Sequence, residues 1–415
     1  MSVSSRDYVY SKFQEFYNDP STVISSPTNF EQREFAYLMF KERFMVRHRR
    51  FENMQTFKNV LARNVPSDVY HSCTYYENPD LEMDKKGWIG SDLVFDIDAD
   101  HIPTACGKIH DEWICQKCEF SGKGVTPEEC PICGGDKFSV KTWACDVCIE
   151  STRVETAKLI DMLTKDFGFA DDEIRVFFSG HRGYHVHVED EVVRSLDALS
   201  RKEIVDYVIG LGLSILERDV NEKAVKGRKR VVATKKFNLH DYGWNRRLKV
   251  GMAKFLSTVT AEDLKSFGLK NNNLFKNKDA ILSRAIEGGR WDSISGVSVA
   301  TWLKLAEQVK SLESANIDTV VTTDIHRLIR MNGTLHGKTG LLKVEFPIRQ
   351  LDTFDPLTHA VAFKKGTAKV LIYDAPKFRL GGATWGPYKN VKVVLPTAAA
   401  IMLILKGRAE VVNDV

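Results

Sequence analysis

Two aspartates, Asp96 and Asp98, interrupt an apolar run that otherwise has strand composition, within the segment DLVFDIDADH. On a strand, residues two apart point to the same side and lie ~6.5–7 Å apart, so these carboxylates project together. Carboxylates held together on a half-buried strand repel each other unless cations neutralise them. Two divalent cations ~3.5–4 Å apart, bridged by such groups, serve in-line phosphoryl transfer. The alternative for an isolated D-x-D triplet is a solvent-facing strand end, since short motifs often arise by chance.

A second group of polar residues occurs in IRVFFSGHRGYHVHV, where two glycines flank a turn. A glycine turn lets backbone N–H groups approach an anion, and arginine can bind phosphate through two parallel hydrogen bonds. Ser179, Arg182 and His185 are therefore candidate phosphate ligands. A plain hairpin turn with exposed polar residues would have the same pattern.

Acidic and basic residues recur near the end of the chain, in DTVVTTDIHRLIRMNGTLHGKTG. This segment offers another acid, Asp318 or Asp324, followed by Arg330 and His336. NGTLHGKTG is similar to a phosphate-binding P-loop, but Asn332 replaces the first glycine of G-x-x-x-x-G-K-T. The following LLKVEF has strand composition, whereas the P-loop requires a helix there. The pattern therefore argues against a P-loop ATPase.

Seven of the eight cysteines lie between Cys106 and Cys148. In a reducing compartment such clustering favours zinc over disulfides. Three C-x-x-C pairs, a single cysteine and a nearby histidine supply enough ligands for two four-coordinate zinc sites. The spacing predicts a zinc ribbon on Cys115, Cys118, Cys130 and Cys133, and a second site on Cys106, His110, Cys145 and Cys148.

We interpret both zinc sites as structural, because a four-coordinate cysteine-rich site has no open position for a substrate. A ribbon beside an active site could instead touch single-stranded DNA. Cys73 lies apart from the cluster and is interpreted as a small buried apolar residue.

The composition is that of an ordinary globular protein, with 415 residues, of which 43% are hydrophobic and 27% charged. The net charge of +4 is mild, so any affinity for nucleic acid must come from local basic clusters. No apolar run approaches the ~20 residues of a membrane span. The first residues, MSVSSRDYVY, lack the apolar core of a signal peptide, so we expect an intracellular, cytoplasmic protein.

One such basic cluster runs from Lys223 to Lys249, with ten lysines and arginines against a single acid, Asp241. Phe237, Tyr242 and Trp244 are interleaved with these basic residues. Basic groups with aromatics suit the backbone and unstacked bases of a single strand, although a solvated loop face is the alternative.

Secondary-structure patterning predicts an α+β fold, with mixed β-sheets and flanking helices. Residues 31–65 are predicted to contain a helix that leads into an edge segment. Thr152 and Glu155 form a capping box that predicts a helix over Thr152–Phe167. IRVFFSG, YHVHVED, DTVVTTD and LLKVEF have strand composition, and LPTAAAIMLIL (Leu395 to Leu405) is predicted to be a docked helix. The predicted domains are a core of residues 1–100, 150–195 and 315–415, a zinc-binding insert of 101–150, and a mostly helical insert of 196–314.

With these segments assembled, the chain resembles the small catalytic subunit of archaeal/eukaryotic-type DNA primase. The similarity lies in REFAYLMFKERFMVR, GWIGSDLVFDIDADH, DFGF followed by FSGHRGYHVHV, and IHRLIRMNGTLHGKTGL. It implies an enzyme that synthesises short RNA, or also DNA, primers de novo from nucleoside triphosphates on single-stranded DNA. The alternatives are a non-catalytic zinc-ribbon module that holds single strands, and a primer-extending or translesion polymerase of the same fold.

The resemblance also implies roles for single residues. The catalytic cations, Mg²⁺ or Mn²⁺, would be held by Asp96, Asp98 and Asp318, with Asp324 as the rival for the third position. The triphosphate would be gripped by Ser179, Arg182 and His185, while phosphates or the sugar would meet Arg330, His336 and Arg47. Eukaryotic members often carry arginine where this chain has His181.

The family carries a zinc element after the acidic strand, which supports at least one of the two zinc sites. The resemblance implies a partner as well, a large primase subunit that carries an iron–sulfur domain. The helical insert and the apolar carboxy-terminal helix are both candidate docking surfaces for it.

Overall fold

The computed structural model describes residues 2–213, 241–266, 275–276, 278–286 and 299–412. The chain divides into two units. The first unit comprises Met1–Ala157, Ala170–Lys202 and Ile317–Val415, and the second comprises Lys158–Phe169 and Glu203–Asn316. The cysteine-rich segment therefore lies in the first unit.

The strands all lie in the first unit, as far as the described residues go. In chain order they are β1 (Phe35–Met39), β2 (Met45–Arg49), β3 (Pro66–Ser72), β4 (Thr74–Tyr76), β5 (Trp88–Ser91), β6 (Leu93–Asp98), β7 (Glu112–Cys115), β8 (Ser121–Lys123), β9 (Phe138–Lys141), β10 (Ile174–Phe178), β11 (Gly183–Val188), β12 (Leu328–Arg330), β13 (Val344–Phe346), β14 (Thr367–Ala375), β15 (Phe378–Leu380), β16 (Ala383–Trp385), β17 (Tyr388–Pro396) and β18 (Ala409–Val411).

Helices occur in both units. In chain order, numbered over the described residues, they are α1 (Val3–Asn18), α2 (Met54–Asn64), α3 (Asp146–Lys165), α4 (Glu191–Arg194), α5 (Ala198–Val208), α6 (Gly243–Thr258), α7 (Ala261–Ser266), α8 (Lys278–Ile286), α9 (Val299–Glu313), α10 (Thr319–Thr323), α11 (Pro356–His359) and α12 (Thr397–Leu405). Short 3-10 turns lie at Phe30–Gln32, Met83–Lys85 and Ile348–Gln350. The predicted α+β class is confirmed.

Two four-stranded antiparallel sheets carry most of the residues of interest. Their strand orders are β12-β3-β1-β2 and β13-β10-β11-β6. The predicted hairpin of β10 and β11 is confirmed, and β11 also pairs with β6, which places His185 opposite Asp96. Gly183 lies so close to β6 that an added Cβ would come within 2.4 Å of the carbonyl oxygen of Ile97. Glycine is therefore required where the turn approaches the acidic strand.

The smaller sheets have the orders β17-β14-β18, β15-β16, β4-β5 and β8-β7-β9, the last lying in the cysteine-rich segment. Helix α12 packs on β14 and is almost entirely buried, from Ala399 to Ile404. This confirms the prediction of a docked apolar helix. It also means that the first unit itself covers the apolar face that had been a candidate docking surface for a partner.

The prediction for residues 31–65 is wrong in its first half, because β1 and β2 occupy the place of the expected helix. The helix follows later, as α2, and the edge segment is β2. A short apolar run such as FAYLM is buried on both faces here, so its spacing alone cannot distinguish a strand from a helix.

One further expectation is wrong, and another is correct except for where the helix begins. DTVVTTD has strand composition but contains α10, whose first turn is capped by Asp318, since its carboxylate accepts from the N–H of Val320 at 3.0 Å. The helix predicted over Thr152–Phe167 is present as α3, but it begins earlier, at Asp146. Thr152 therefore lies inside the helix, where its hydroxyl donates to the carbonyl of Ile149 at 2.8 Å and does not cap the helix.

In the described part of the chain, no helix combines the length and the apolar character that crossing a membrane would need. Most of the basic cluster, residues 223–240, lies outside the described residues.

Candidate functional site

The three acids Asp96, Asp98 and Asp318 come together although more than 200 residues separate the first two from the third. Asp96 and Asp98 lie on β6, and the backbone N–H of Asp318 donates to the carbonyl of Asp96 at 2.8 Å. Burial, then the carboxylates of Asp98 and Asp318, raise the pKa of Asp96 to about 7. Burial and Asp100 raise the pKa of Asp98 as well. The cluster is thus a half-buried group of like charges.

Asp324 lies at the other end of α10, where it caps the helix. Its carboxylate accepts from the backbone N–H of His326 at 2.9 Å, and the imidazole of His326 lies 3.0 Å from the hydroxyl of Tyr76. The carboxylates that raise the pKa of Asp96 are Asp98 and Asp318. The geometry therefore favours Asp318 over Asp324 as the third acid.

A divalent cation fits this donor set. Carboxylate oxygens are the ligands that Mg²⁺ and Mn²⁺ prefer. The pKa of Asp96 is raised by burial and by the neighbouring carboxylates, and Arg327 and Lys343 offset this only in part. A cation between these oxygens would favour the charged carboxylates.

The turn between β10 and β11 lies beside the acidic strand, with Ser179 at its start and His185 on β11 opposite Asp96. The N–H of Ser179 donates to the carbonyl of Gly183 at 2.9 Å, which closes the turn. The Nε2 atom of His185 lies 3.6 Å from a carboxylate oxygen of Asp96. Burial, followed by nearby cations such as Lys343, keeps the pKa of His185 well below its ordinary value, so its imidazole is neutral.

Arg182, predicted as a phosphate ligand, is fully buried and points away from any free surface. Its guanidinium donates two hydrogen bonds to the carboxylate of Asp111, at 3.0 and 2.7 Å, and one to the carbonyl of Trp143 at 3.0 Å. A further bond joins it to Asp100, two residues beyond Asp98. Arg182 therefore connects the end of the acidic strand, through Asp100, to Asp111 of the cysteine-rich segment.

A compact basic group lies on the other side of the turn. The rings of His181 and His336 stack with 5.2 Å between their centroids, and the ammonium of Lys406 lies 2.9 Å from Nε2 of His181. Burial, then Arg182 and Lys338, lower the pKa of Lys406 to about 7. Burial also holds the pKa of His181 and of His336 well below its ordinary value. Among the described residues, no carboxylate forms an ion pair with Lys406.

Arg330 lies near His336 but forms an ion pair with a carboxylate, that of Asp68. Its guanidinium donates to the carboxylate of Asp68 at 2.6 Å, and the N–H of Gly337 donates to the same carboxylate at 3.0 Å. Although burial would raise the pKa of Asp68, Arg330 and His336 lower it well below its ordinary range. Arg47 is half-exposed and donates to buried Glu34 at 3.1 Å.

The structure brings the metal-ligand candidates together as two groups of four, each with donor atoms within 4.8 Å of one another. The groups are Cys115, Cys118, Cys130 and Cys133, and Cys106, His110, Cys145 and Cys148. In the first group, the sulfur atoms of Cys115 and Cys133 are 3.6 Å apart. This distance is far beyond a disulfide bond of ~2.05 Å but close to the ~3.8 Å edge of a tetrahedron with ~2.3 Å zinc–sulfur bonds.

The second group has the same dimensions. The Nε2 atom of His110 lies 3.2 Å from the sulfur of Cys145, 3.4 Å from Cys106 and 3.5 Å from Cys148. On its other side, Nδ1 of His110 lies 2.8 Å from the carboxylate of Asp111. A carboxylate behind a histidine ligand fixes the tautomer that binds a metal. Both groups could hold zinc.

Asp111 thus joins the second cysteine group to Arg182, and it was not among the predicted site residues. Asp68 and Lys406 were also not among the predicted site residues. Asp68 is an acid within a buried strand, the same pattern that drew attention to Asp96. Asp111 directly follows a histidine ligand candidate, and a carboxylate beside such a histidine could have been considered for a supporting role. No pattern in the sequence connects Lys406 to the histidines.

Comparisons with known proteins agree with one another. The model of the DNA primase small subunit family matches residues 136–348. The DNA primase small subunit PriS of Methanococcoides burtonii is 31% identical over 430 residues, which cover 99% of each chain. The PriS proteins of Nitrosopumilus maritimus (30% identical, covering 99% of this chain and 100% of the relative) and Archaeoglobus fulgidus (32%, covering 97% of each) are similar to the same extent.

Proposed function

Since the chain belongs to the DNA primase small subunit family, we propose that Asp96, Asp98 and Asp318 carry the nucleotidyl transfer of a primase catalytic subunit. The enzyme would build short RNA, or also DNA, primers de novo from nucleoside triphosphates on single-stranded DNA. The observation that carries the proposal is the convergence of these three acids beside a turn and a basic group suited to a triphosphate.

In each step a 3′-hydroxyl would attack the α-phosphorus of the incoming nucleotide, and pyrophosphate would leave. Mg²⁺ or Mn²⁺, which the three acids would hold, would neutralise negative charge that develops on the hydroxyl oxygen and on the triphosphate. Ser179, His336 and Lys406 would bind and orient the phosphates. His185, neutral and buried against Asp96, would hold that carboxylate in place. Positioning and charge supply nearly all the catalysis in reactions of this kind.

The experiment is de novo synthesis on a single-stranded template, with ribonucleotides and deoxyribonucleotides supplied in parallel. Wild-type protein is expected to make short products that require a divalent cation. Asp96→Asn, which preserves the size of the side chain, is expected to slow synthesis by about 1000-fold, since losing one metal ligand costs several kcal/mol of barrier. Absence of template-dependent synthesis by the wild-type chain, alone and with a large subunit, would reject the proposal.

The two cysteine groups would each hold a structural zinc ion. Their donor sets and spacing support this, and neither leaves a position open for substrate. By holding Cys145 and Cys148 at the start of α3, the second ion would also fix Asp111 and, through it, Arg182.

We further propose that the chain functions with a large primase subunit. Because helix α12 is buried within the first unit, the helical second unit is the better docking candidate. Val250 and Leu312 of that unit are 49% and 45% exposed, unusually high for such residues. Co-purification of the two chains tests this, with Val250→Asp and Leu312→Asp expected to weaken the complex.

A further inference from the structure

The most strongly charged exposed segment of the first unit is the hairpin of β1 and β2, from Lys41 to Arg50 (KERFMVRHRR). It carries five basic residues and one acid, an excess as large as the +4 net charge of the whole chain. Along β2, side chains alternate between exposed and half-buried positions, and Arg47 and Arg49 are on the exposed side. We refer to residues 41–50 as the basic hairpin.

The cations of the basic hairpin are largely free of carboxylate partners. Arg47 pairs with Glu34, but no ion pair joins Arg43, Arg49 or Arg50 to an acid in the part of the chain that the structure describes. Unpaired arginines gathered on one exposed strand create a positive potential that attracts a polyanion.

A charged edge strand has another possible explanation, since charges at an edge prevent pairing with a second sheet. Large exposed apolar side chains beside the charges would work against this, because they favour association with a second sheet. Yet Phe44 is 53% exposed and Met45 is 42% exposed at the tip of the same hairpin. Basic groups combined with an exposed aromatic ring are instead the combination that binds unpaired bases and their backbone.

The basic hairpin belongs to a sheet that also carries residues near the candidate site. Strand β2 is the edge of the sheet β12-β3-β1-β2, and the inner strand β3 and the far strand β12 carry Asp68 and Arg330. In the register of this sheet, Met45 pairs with Leu38, and Leu38 pairs with Asp68, the partner of Arg330. A nucleic-acid strand on the basic hairpin would therefore lie two β-strands away from Asp68.

We propose that the basic hairpin is a binding surface for the single-stranded template, with Arg43, Arg49 and Arg50 on its phosphates and Phe44 stacked on a base. The proposal rests on the proposed function, because it takes single-stranded DNA as the ligand. An acidic protein partner is the competing occupant, and the experiment below separates the two.

The test measures binding of a fluorescent oligo(dT) by anisotropy over a range of salt concentrations, with neither nucleotide nor divalent cation present. For single strands, each phosphate contact contributes about 0.7 to the salt slope. The triple variant Arg43→Gln, Arg49→Gln, Arg50→Gln should therefore lower the slope by about 2 and the affinity by about 100-fold at 0.1 M salt. Phe44→Ser should weaken binding by about tenfold with the slope unchanged, because stacking releases no counterions.

The matched control removes three charges from other exposed positions, as Lys364→Gln, Lys365→Gln, Lys392→Gln. This control should keep the wild-type slope and affinity. Equal losses in the two triple variants, or an unchanged slope in the hairpin variant, would overturn the proposal. The outcome is independent of catalysis: a wild-type chain that binds DNA through the hairpin but makes no primers would contradict the proposed function alone.

Discussion

The backbone N–H of Asp318 donates to the carbonyl of Asp96 over 2.8 Å, which fastens the start of a short helix to the middle of the acidic strand. This single bond brings the third carboxylate to the first two. Because Asp324 sits at the opposite end of the same helix, the two candidate acids are held apart by the helix itself.

The two candidates for the third acid can be separated by a pair of matched substitutions. Asp318→Asn should reduce the rate of primer synthesis by about 1000-fold, the effect of losing several kcal/mol of transition-state stabilisation. Asp324→Asn should leave the rate within about threefold, because its carboxylate accepts from the N–H of His326 in a local turn contact that asparagine can also make. Initial rates on one template decide the matter, and a reversed order of the two variants would transfer the role to Asp324.

The metal content of the purified protein tests the cysteine groups one at a time. We expect about two zinc ions per chain, from two four-coordinate sites. Cys118→Ser and Cys145→Ser should each lower the content by about one ion, and the double variant should hold almost none. Cys73→Ala is the control, since Cys73 is buried in the core among apolar residues, and should keep both ions. Equal zinc content in all variants would contradict the assignment.

Substitution of Asp111 should weaken zinc binding and slow nucleotide incorporation together, because its carboxylate contacts both His110 and Arg182. Asp111→Asn removes a charge from between His110 and Arg182, so zinc affinity should fall by about 10–100-fold. Loss of the Asp111 carboxylate should also displace Arg182. Nucleotide incorporation should then be slower even when zinc is saturating, chiefly through a lower kcat. Chelator-driven zinc release and steady-state kinetics measure the two effects. Glu112→Gln, the neighbouring carboxylate, is the control; a variant that released zinc and incorporated nucleotides like wild type would show Asp111 to be dispensable.

We expect buried Lys406 to lower the free energy of unfolding by an amount that depends on pH, and to contribute to nucleotide binding. Burial, then Arg182 and Lys338, bring its pKa from 10.5 to about 7, so between these pH values the unfolded chain binds a proton that the folded chain lacks. The contribution of Lys406 to the free energy of unfolding of the wild type therefore becomes more favourable as the pH rises from about 7 to 10.5. Lys406→Met should raise the melting temperature at pH 7 by about 2–4 °C.

The gain from Lys406→Met should shrink as the pH approaches 10, and the KM for nucleotides should rise. Lys364→Met, at an exposed position, is the control for the stability measurement. A gain that stays constant with pH would show that the charge of Lys406 is not the cause.

Parts of this arrangement could be predicted from the sequence because they depend on spacing along one short segment. The D-x-D pair is one example, since alternation on a strand places both carboxylates on one side. The C-x-x-C pairs are another, and the structure groups their ligands in the same two sets. The β10–β11 hairpin was predicted for the same reason, from glycines between two β-rich runs.

The parts that could not be predicted depend on contacts between distant segments. Nothing near Arg182 in the sequence indicates that Asp111 will meet it, because the zinc-binding segment must first fold back on the turn. Helix α10 was mistaken for a strand since its composition is β-branched and its cap is a local hydrogen bond. Lys406 reaches His181 only because helix α12 is buried across the core.

The most direct test of the central claim is Mn²⁺ binding in the presence of a non-hydrolysable nucleotide and template, measured by electron paramagnetic resonance. If Asp96, Asp98 and Asp318 form the cation site, wild-type protein should bind about two ions. Asp96→Asn should then bind no more than about one, with primer synthesis reduced about 1000-fold in the same preparation. Unchanged Mn²⁺ binding together with wild-type synthesis in Asp96→Asn would contradict the account.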